Sequence, residues 1–301
     1  MNERDKVNLV QEMQDYIKEH LESDDFTPEG LYASVGYSKR HADRVFREFL
    51  GETPLETVKK IRLTDSVAKL REHKASILEV ALESGFDSHE GYTRAFARSF
   101  DVTPSSYRKK PVAVPLFVQY PVTHYYNYLH GKEENEMETK ELLCMVTPVE
   151  RPKRKLLFLR SINATDYFSF CEEKGCEWDG LLNSIPEKFD TAALLELPPF
   201  LQKSGFSNIA SGVEVPFDYD GKIPEGYELA EIPPCLLLYF QTEPYEKEED
   251  FCIAIGCAFR AAEKYDPQRY GYEWADDTAP RFNFGADTAT GARIALPVRK
   301  R

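Results

Sequence analysis

The sequence predicts a multidomain protein, in which an all-α domain with two helix-turn-helix units precedes an α+β domain with an antiparallel sheet and a pseudo-twofold repeat. A motif recurs at an offset of 50 residues within the first 110 residues. The hydrophobic period is helical in that part and mixed after residue 139. A weaker repeat, at about 80 residues, lies in the later part. A chain of 301 residues can hold two or three such domains.

The bulk composition is that of an ordinary globular protein. Hydrophobic residues make up 42% of the chain and aromatic residues 13%, which argues against general disorder. No apolar run approaches the roughly 18 residues that a membrane helix needs. The first 25 residues are charged throughout and lack the apolar stretch of a signal peptide. We therefore expect a cytoplasmic protein.

The net charge of −13 is unevenly distributed. Residues 1–110 hold 18 Lys and Arg against 20 Asp and Glu, whereas the remainder holds 20 against 31. A nearly neutral domain can bind DNA if its basic side chains gather on one face. The charge balance thus leaves nucleic-acid binding open for the first domain.

The six cysteines all follow residue 140, at positions 144, 171, 176, 235, 252 and 257. They form no CxxC pair, and no Cys/His group has zinc-finger spacing. We expect buried free thiols, with metal binding or redox chemistry as the alternatives.

The repeat in the first part joins residues 44–54 to residues 94–104. The shared positions are Arg44 with Arg94, Phe46 with Phe96, and Thr53-Pro54 with Thr103-Pro104. Upstream of each copy lies a glycine, Gly36 or Gly85, that can take the positive φ of a tight turn. Each unit therefore reads as a short helix, a glycine turn, a second helix and a Thr-Pro stop.

Local signals place the helices of these two units, at about 27–50 and 76–100. Ser38 and Ser88 are good N-caps for the second helix of each unit. A helix over 54–72 joins the units, and another over 7–22 precedes them. The predicted inner faces of the second helices are Ala42, Val45, Phe46 and Phe49 in the first unit, and Tyr92, Ala95, Phe96 and Ser99 in the second.

A helix-turn-helix presents its second helix to the major groove of DNA. Two units on one rigid helix can place recognition helices in successive grooves, about 34 Å apart. Two helical hairpins without DNA contact are the alternative that the pattern alone leaves open.

The segments GYSKRHADRVFREFLGETP (36–54) and GFDSHEGYTRAFARSFDVTPSSYRKK (85–110) resemble the homeodomain-like DNA-binding module of the AraC/XylS regulators. The resemblance covers about residues 7–110 and implies double-stranded DNA and RNA polymerase as partners. It implies these DNA-binding residues: Lys39, Arg40, Asp43, Arg44 and Arg47 in the first unit, and His89, Glu90, Thr93 and Arg94 in the second. Tyr32 departs from the family's preference for a small residue.

The remainder divides into a connector over 111–138 and a domain over 139–301. Residues 112–128 are too apolar for a loose linker, and we expect them to pack on a domain, as a strand. Predicted strands cover 142–149, 154–161, 207–215, 227–232, 235–241, 281–284 and 293–298. Predicted helices cover 166–185, interrupted near Gly175, and 247–265, whose inner face is Phe251, Ile255, Ala258, Phe259 and Ala262.

This second domain resembles the GyrI-like effector-binding domains, on VERPKRKLLFLRS (149–161), KGCEWDGLL (174–182), YGYEWADDTAPRF (270–282) and ARIALPV (292–298). Such domains bind small, often cationic or aromatic molecules between aromatic walls and a buried carboxylate. The resemblance implies Trp178, Tyr227, Tyr239, Glu273 and Trp274 as effector-binding residues. The family's acid in the last strand is missing here, so Glu273 or Glu177 replaces it, or Arg293 favours an anionic ligand.

Two other functions compete with ligand-responsive regulation. The second domain could hydrolyse a small molecule with a shielded carboxylate, or simply sequester drug-like molecules. The sequence shows no Ser/His/Asp set, phosphate-binding glycine loop or metal motif. We therefore predict no enzymatic activity, no catalytic residues, no metal and no cofactor.

Overall fold

The computed structural model describes residues 1–71, 75–129 and 142–301, and they form two compact units. The first unit contains Met1–Pro111 together with Phe117 and the helix that follows it. The second contains Val112–Leu116 together with the chain from residue 142 onward. Within the described ranges, no helix is both long enough and apolar enough to cross a membrane.

The first unit is built of helices, as predicted. They are α1 (Glu3–Glu22), α2 (Pro28–Ser34), α3 (Lys39–Leu50), α4 (Pro54–Arg71), α5 (Ile77–Glu83), α6 (His89–Phe100), α7 (Pro104–Lys109) and α8 (Val122–Leu129). The helix-turn-helix pairs are α2–α3 and α5–α6, with α4 between them. Gly36 and Gly85 have φ of +66° and +74°, so both turns need the conformation that glycine adopts without strain. Ser38 and Ser88 cap α3 and α6, as predicted.

The buried face of α6 differs from the prediction. Tyr92, Phe96 and Phe100 are buried, whereas Ser99 is exposed. The three aromatic rings form one stripe with a spacing of four, and their ring centroids lie 5.7 and 4.7 Å apart. Burying Phe100 removes far more apolar surface from water than burying Ser99, so the helix turns this stripe inward.

The connector is not a strand where the structure describes it. Residues 122–129 form α8, and the side chain of Gln14 anchors its start by accepting from the Val122 N–H and donating to the Tyr120 carbonyl. These bonds satisfy backbone groups that an open helix start leaves unpaired. The charged end of the predicted connector, residues 132–138, lies outside the described residues.

The second unit contains one antiparallel sheet. Its strands are β1 (Cys144–Arg151), β2 (Arg154–Arg160), β3 (Ala193–Glu196), β4 (Ile209–Pro216), β5 (Glu228–Ile232), β6 (Cys235–Thr242), β7 (Tyr272–Trp274), β8 (Arg281–Asp287) and β9 (Gly291–Lys300). Its helices are α9 (Tyr167–Lys174), α10 (Glu177–Asn183) and α11 (Phe251–Lys264). The short strands β3 and β7 were not predicted.

The strand order β1-β6-β9-β8-β3-β4-β2-β5 shows the predicted pseudo-twofold repeat. The first half of the repeat runs β1–β2–α9–α10–β3–β4, and the second runs β5–β6–α11–β8–β9. The halves exchange their first strands, because β1 pairs with β6 and β5 pairs with β2. The two halves meet where β8 pairs with β3, at the centre of the sheet.

Alternate residues of the strands separate two faces of this sheet. Leu157 on β2 and Phe240 on β6 lie on the face that the helices cover. Phe158 and Tyr239 lie on the other face, in a cluster without residues from α9, α10 or α11. A period of two residues per strand produces this division.

The buried face of α11 was predicted only in part, since Ala258 and Ala262 are buried as predicted. Phe259 is 42% exposed, and the buried residues are Ile253, Ala254, Cys257, Ala258 and Ala262. Alanines at a spacing of four let the helix approach the sheet closely, so the small side chains face inward and the large Phe259 does not.

Candidate nucleic-acid interface and candidate effector site

The outer surface of α3 carries most of the first predicted DNA-binding set. Lys39, Arg40, Arg44 and Arg47 are exposed. They line a shallow open depression together with Ser38, His41, Asp43 and Glu48. The nearest carboxylate partner of Arg47 is Glu56, at 3.8 Å between Nη2 and Oε2, and both side chains remain exposed. The arginine side chains are thus accessible to a ligand as large as a duplex.

Asp43 is held by its neighbours. The Tyr32 hydroxyl donates to Asp43 Oδ1 at 2.8 Å, and Lys39 Nζ lies 3.3 Å from Oδ2. Lys39 also donates to the Tyr32 hydroxyl at 2.9 Å, and this bond raises the pKa of Lys39. Tyr32, the residue that departs from the family pattern, therefore ties the first helix of the unit to the second.

His41 lies between the ring of Tyr37 and the guanidinium of Arg44. The rings of Tyr37 and His41 stack with centroids 4.9 Å apart, and Arg44 Nη2 is 3.3 Å from His41 Nδ1. Sequence reasoning did not include His41 among the site residues. Its position three residues before Arg44, on the same helix face, is the signal that would have found it.

The equivalent surface of α6 carries His89, Glu90 and Arg94, all exposed. Thr93 differs from them, since its hydroxyl oxygen is shielded from solvent and lacks a hydrogen-bond partner among the described residues. Arg94 occupies the position in α6 that Arg44 occupies in α3. Both helix-turn-helix pairs therefore expose an arginine at the same place.

The predicted effector-binding residues fall in different parts of the second unit. Trp178 and Tyr227 pack in the cluster under α9 and α10, where burial raises the pKa of Tyr227 to about 12. Trp274 packs against Phe240 and Tyr265 in the cluster under α11. The reason is that these residues lie on the helix side of the sheet, where they fill cores.

Glu273 and Glu177, the predicted substitutes for the missing acid, are both exposed. Glu273 is exposed on the edge strand β7, with Oε1 3.5 Å from Nε of Arg299. Glu177 is exposed in the first turn of α10. Neither carboxylate is shielded from water, so neither meets the requirement for strong charge recognition.

A buried carboxylate that sequence reasoning missed is Glu214 on β4, which is 3% exposed. Arg154, which is fully buried, donates from Nε to one Glu214 oxygen, and Arg151 donates to the other at 3.1 Å. The carbonyls of Pro152 and Pro233 accept from Arg154 Nη1 at 3.2 and 2.9 Å. The acid precedes Val-Pro in the fourth strand of the first half, so the internal repeat was a signal for it.

The same face of the sheet carries Tyr239, the one predicted effector residue that belongs to a polar group. Its hydroxyl donates to Asp190 Oδ2 at 3.0 Å, and Arg293 donates to Oδ1 of the same carboxylate at 2.6 Å. The Arg293 guanidinium lies 4.5 Å from the ring centroid of Phe284. We call Arg151, Asp190, Glu214, Tyr239 and Arg293 the sheet-face cluster.

The surroundings of Arg151 and Tyr239 in the sheet-face cluster shift the pKa of both groups. Burial alone would lower the pKa of Arg151, but the combined effect of Tyr239, Glu214 and Asp190 raises it. Burial, with Asp190 beside it, raises the pKa of Tyr239 above its usual range. Tyr239 is therefore a neutral hydrogen-bonding group, and Arg151 a permanent cation.

Comparison with known proteins supports the interpretation of the first unit. Residues 31–110 match a family model described as a helix-turn-helix domain. The multiple antibiotic resistance protein MarA of Escherichia coli K12 is 32% identical over 111 residues, which are 37% of this chain and 87% of MarA. The right origin-binding protein of the same organism is 32% identical over 107 residues, or 36% of this chain. The chain covers 37% of that relative's length.

Distant structural neighbours also exist among solved structures. The match to the C-terminal domain of EcmrR covers 53% of this chain and 100% of the EcmrR domain, with 16% sequence identity and a TM-score of 0.32. A score of this size supports no argument about ligand or function.

The two capped helix pairs and the match to MarA define the class, a protein with a double helix-turn-helix domain. The antiparallel sheet unit follows it in the same chain. The protein belongs to the AraC/XylS family.

Proposed function

We propose that this protein binds DNA in a sequence-specific manner through α3 and α6, and that its second unit binds a small-molecule effector. One observation carries the first part: Arg44 and Arg94 are exposed at equivalent positions of two N-capped helices. Arginine presents a planar donor pair that matches the O6 and N7 atoms of guanine. Each of these helices is the one that a helix-turn-helix inserts into the major groove.

The neighbouring side chains divide into two roles. Lys39, Arg40 and Arg47 contact phosphates and hold the register, because they are cationic and exposed at the edges of α3. His89 and Glu90 face the bases from the first turn of α6. Asp43, which Tyr32 and Lys39 already hold, orients Lys39 rather than accepting from a base.

Selection from a pool of randomised 40-base-pair duplexes tests DNA binding by the full chain. We expect the wild-type protein to enrich a defined sequence, and the double variant Arg44→Ala/Arg94→Ala to enrich none. Arg269→Ala removes an exposed arginine of the second unit and is the matched control, expected to enrich the wild-type sequence. Failure of the folded wild-type protein to enrich any sequence would contradict the proposal.

The sheet-face cluster supports the effector-binding part of the proposal. Together with Arg154, the cluster contains three guanidinium groups and two carboxylates. The guanidinium groups therefore outnumber the carboxylates by one. Arg293 has the most exposed side chain of these, at 29%, and it lies over the ring of Phe284. A guanidinium beside an aromatic ring can pair with the charged group of an aromatic anion while the two aromatic rings pack together. The effector is therefore expected to carry a negative charge, in contrast to the cations that the family prefers.

Thermal-shift measurements on the full chain separate the two ligand charges. Benzoate and phenyl phosphate should stabilise the wild-type protein in a concentration-dependent way, and benzyltrimethylammonium should not. Arg293→Gln should abolish the response to the anions. A response to the cation alone would overturn the anionic assignment.

RNA polymerase is the expected protein partner of a regulator of this class. An effector acts on such a protein only by binding one of its arrangements better than another. In vitro transcription from a promoter that carries the selected sequence, with and without the effector, tests both statements together.

A further inference from the structure

Two cysteines of the second unit lie on either side of a helix break. Cys171 is in the last turn of α9, and Cys176 immediately precedes α10. Gly175 between them has φ of +77°, and its N–H donates to the Cys171 carbonyl at 2.8 Å. This reversal of the chain brings the two thiols within hydrogen-bond contact. Both thiols are free and partly exposed. The expectation that the cysteines are buried holds, of the six, only for Cys257.

The groups around Cys171 suit a thiolate. The hydroxyl of Tyr167 hydrogen-bonds to its sulfur, and the indole N–H of Trp178 faces it. Trp178 is 6% exposed, and its Nε1 has no hydrogen-bond partner among the described residues. A buried donor without an acceptor is unfavourable, and an ionised sulfur would satisfy it.

The two thiols differ in acidity. The hydrogen bond from Cys176 is the largest influence on Cys171, and with that of Tyr167 it opposes burial, so that the pKa of Cys171 is lowered. The same contact raises the pKa of Cys176. Burial raises the pKa of Cys144 and of Cys235. Because the thiolate is the reactive form of cysteine, Cys171 is the better nucleophile and Cys176 the resolving thiol.

We propose that Cys171 and Cys176 form a peroxide-sensitive pair that closes into a reversible disulfide. This inference does not depend on the proposed DNA binding. The inference rests on the chain reversal at Gly175, the contact between the thiols and the unpartnered Trp178 donor. Oxidation would act at the junction of α9 and α10, which pack on the sheet through Phe170 and Leu182.

The chemistry is balanced with a hydroperoxide as the oxidant. The Cys171 sulfur attacks one peroxide oxygen, the O–O bond breaks, and the leaving hydroxide takes a proton to become water. Cys171 is then a sulfenic acid. The Cys176 sulfur attacks the Cys171 sulfur, the S–O bond breaks, and a second water leaves with the thiol proton. Two thiols are oxidised to one disulfide while hydrogen peroxide is reduced to two waters.

The test uses the full chain treated with one equivalent of hydrogen peroxide and then digested with trypsin without reductant. Cleavage after Lys174 separates the two cysteines, so their peptides stay together only through a disulfide. We expect the linked pair of peptides 161–174 and 175–188, which separates on reduction. In Cys176→Ser, the sulfenic-acid reagent dimedone should label Cys171 several-fold faster than it labels Cys144.

Cys144→Ser is the matched control, since it removes another partly exposed thiol and should leave the linked peptides unchanged. Trp178→Phe keeps an aromatic ring but removes the donor, and it should slow the labelling of Cys171. Absence of the linked peptides in the oxidised wild-type protein, or equal labelling of Cys171 and Cys144, would overturn the proposal.

Discussion

The guanidinium of Arg62 lies against Gly85, where a Cβ atom on residue 85 would come within 2.6 Å of Nη1. Arg62 belongs to α4, the helix that joins the two helix-turn-helix pairs, and Gly85 forms the turn of the second pair. The same guanidinium lies 5.7 Å from the ring centroid of Phe26, just before α2. One side chain on the joining helix thus contacts the edges of both pairs.

Gly85→Ala should destabilise the first unit more than Gly36→Ala. Both glycines have positive φ, so each alanine incurs roughly 1–2 kcal/mol of backbone strain. A Cβ on Gly36 meets nothing within 4 Å, whereas one on Gly85 displaces Arg62 from Phe26. Urea unfolding of both variants measures the difference.

Arg62→Ala provides the control for this comparison. In that background, the cost of Gly85→Ala should fall to that of Gly36→Ala, because the displaced group is gone. An unchanged cost would show that the Arg62 contact does not matter.

Alanine at Arg44 or Arg94 should weaken binding to the selected duplex by about 1–3 kcal/mol and relax the preference at one base pair. Arg47→Ala should instead weaken binding equally for all sequences and reduce the slope of log K against log salt by about 1. Fluorescence anisotropy at several salt concentrations separates these outcomes. A purely uniform loss in Arg44→Ala would argue against base contact.

Glu173→Gln should remove a pH-dependent part of the stability. The Glu173 carboxylate accepts from the Ile162 and Asn163 N–H groups at 2.8 and 2.9 Å. Burial raises the pKa of Glu173, but these bonds, with Lys174, outweigh it and lower the pKa below 4.5. The stabilisation is therefore present above pH 4.5 and is lost as the pH falls through the lowered pKa, because the unfolded chain binds the proton more tightly.

We expect Glu173→Gln to cost about 1–2 kcal/mol at pH 7 and progressively less below pH 4.5. Chemical denaturation between pH 3 and pH 7 measures it, with the exposed Glu263→Gln as control. A difference that stays constant over this range would exclude the carboxylate charge as its source.

Glu214→Gln should cost about 3–5 kcal/mol, because it leaves the guanidinium of Arg154 buried without a counter-ion. The double variant Arg154→Met/Glu214→Leu removes both charges and should be more stable than Glu214→Gln alone. Thermal unfolding of both variants checks this order. The reverse order would mean that Arg154 finds another partner.

The first unit could be predicted almost completely because its signals are local. A glycine with positive φ, a serine cap and a Thr-Pro stop each act within a few residues, and the repeat shows them twice. The error in this unit concerns a helix face, at Ser99, because the choice of the buried stripe depends on which neighbour the helix packs against.

The candidate effector site could be predicted only in part. The prediction named Tyr239 but not Glu214 or Arg151 of the sheet-face cluster, because their strands are distant in sequence. β1 pairs with β6, and β4 lies between β2 and β3, so residues from both halves of the repeat meet on one face. Local propensity carries no information about such pairings.

The chain alone determined the class of protein, the two helix-turn-helix pairs and the repeat of strands and helices, since each follows from short-range conformational preferences. Tertiary structure decided which side chains share a face of the sheet and which thiol, carboxylate or guanidinium is buried from solvent. The physical reason is that burial and long-range strand pairing are set by the whole fold, and burial raises the pKa of groups such as Tyr239 and Tyr227.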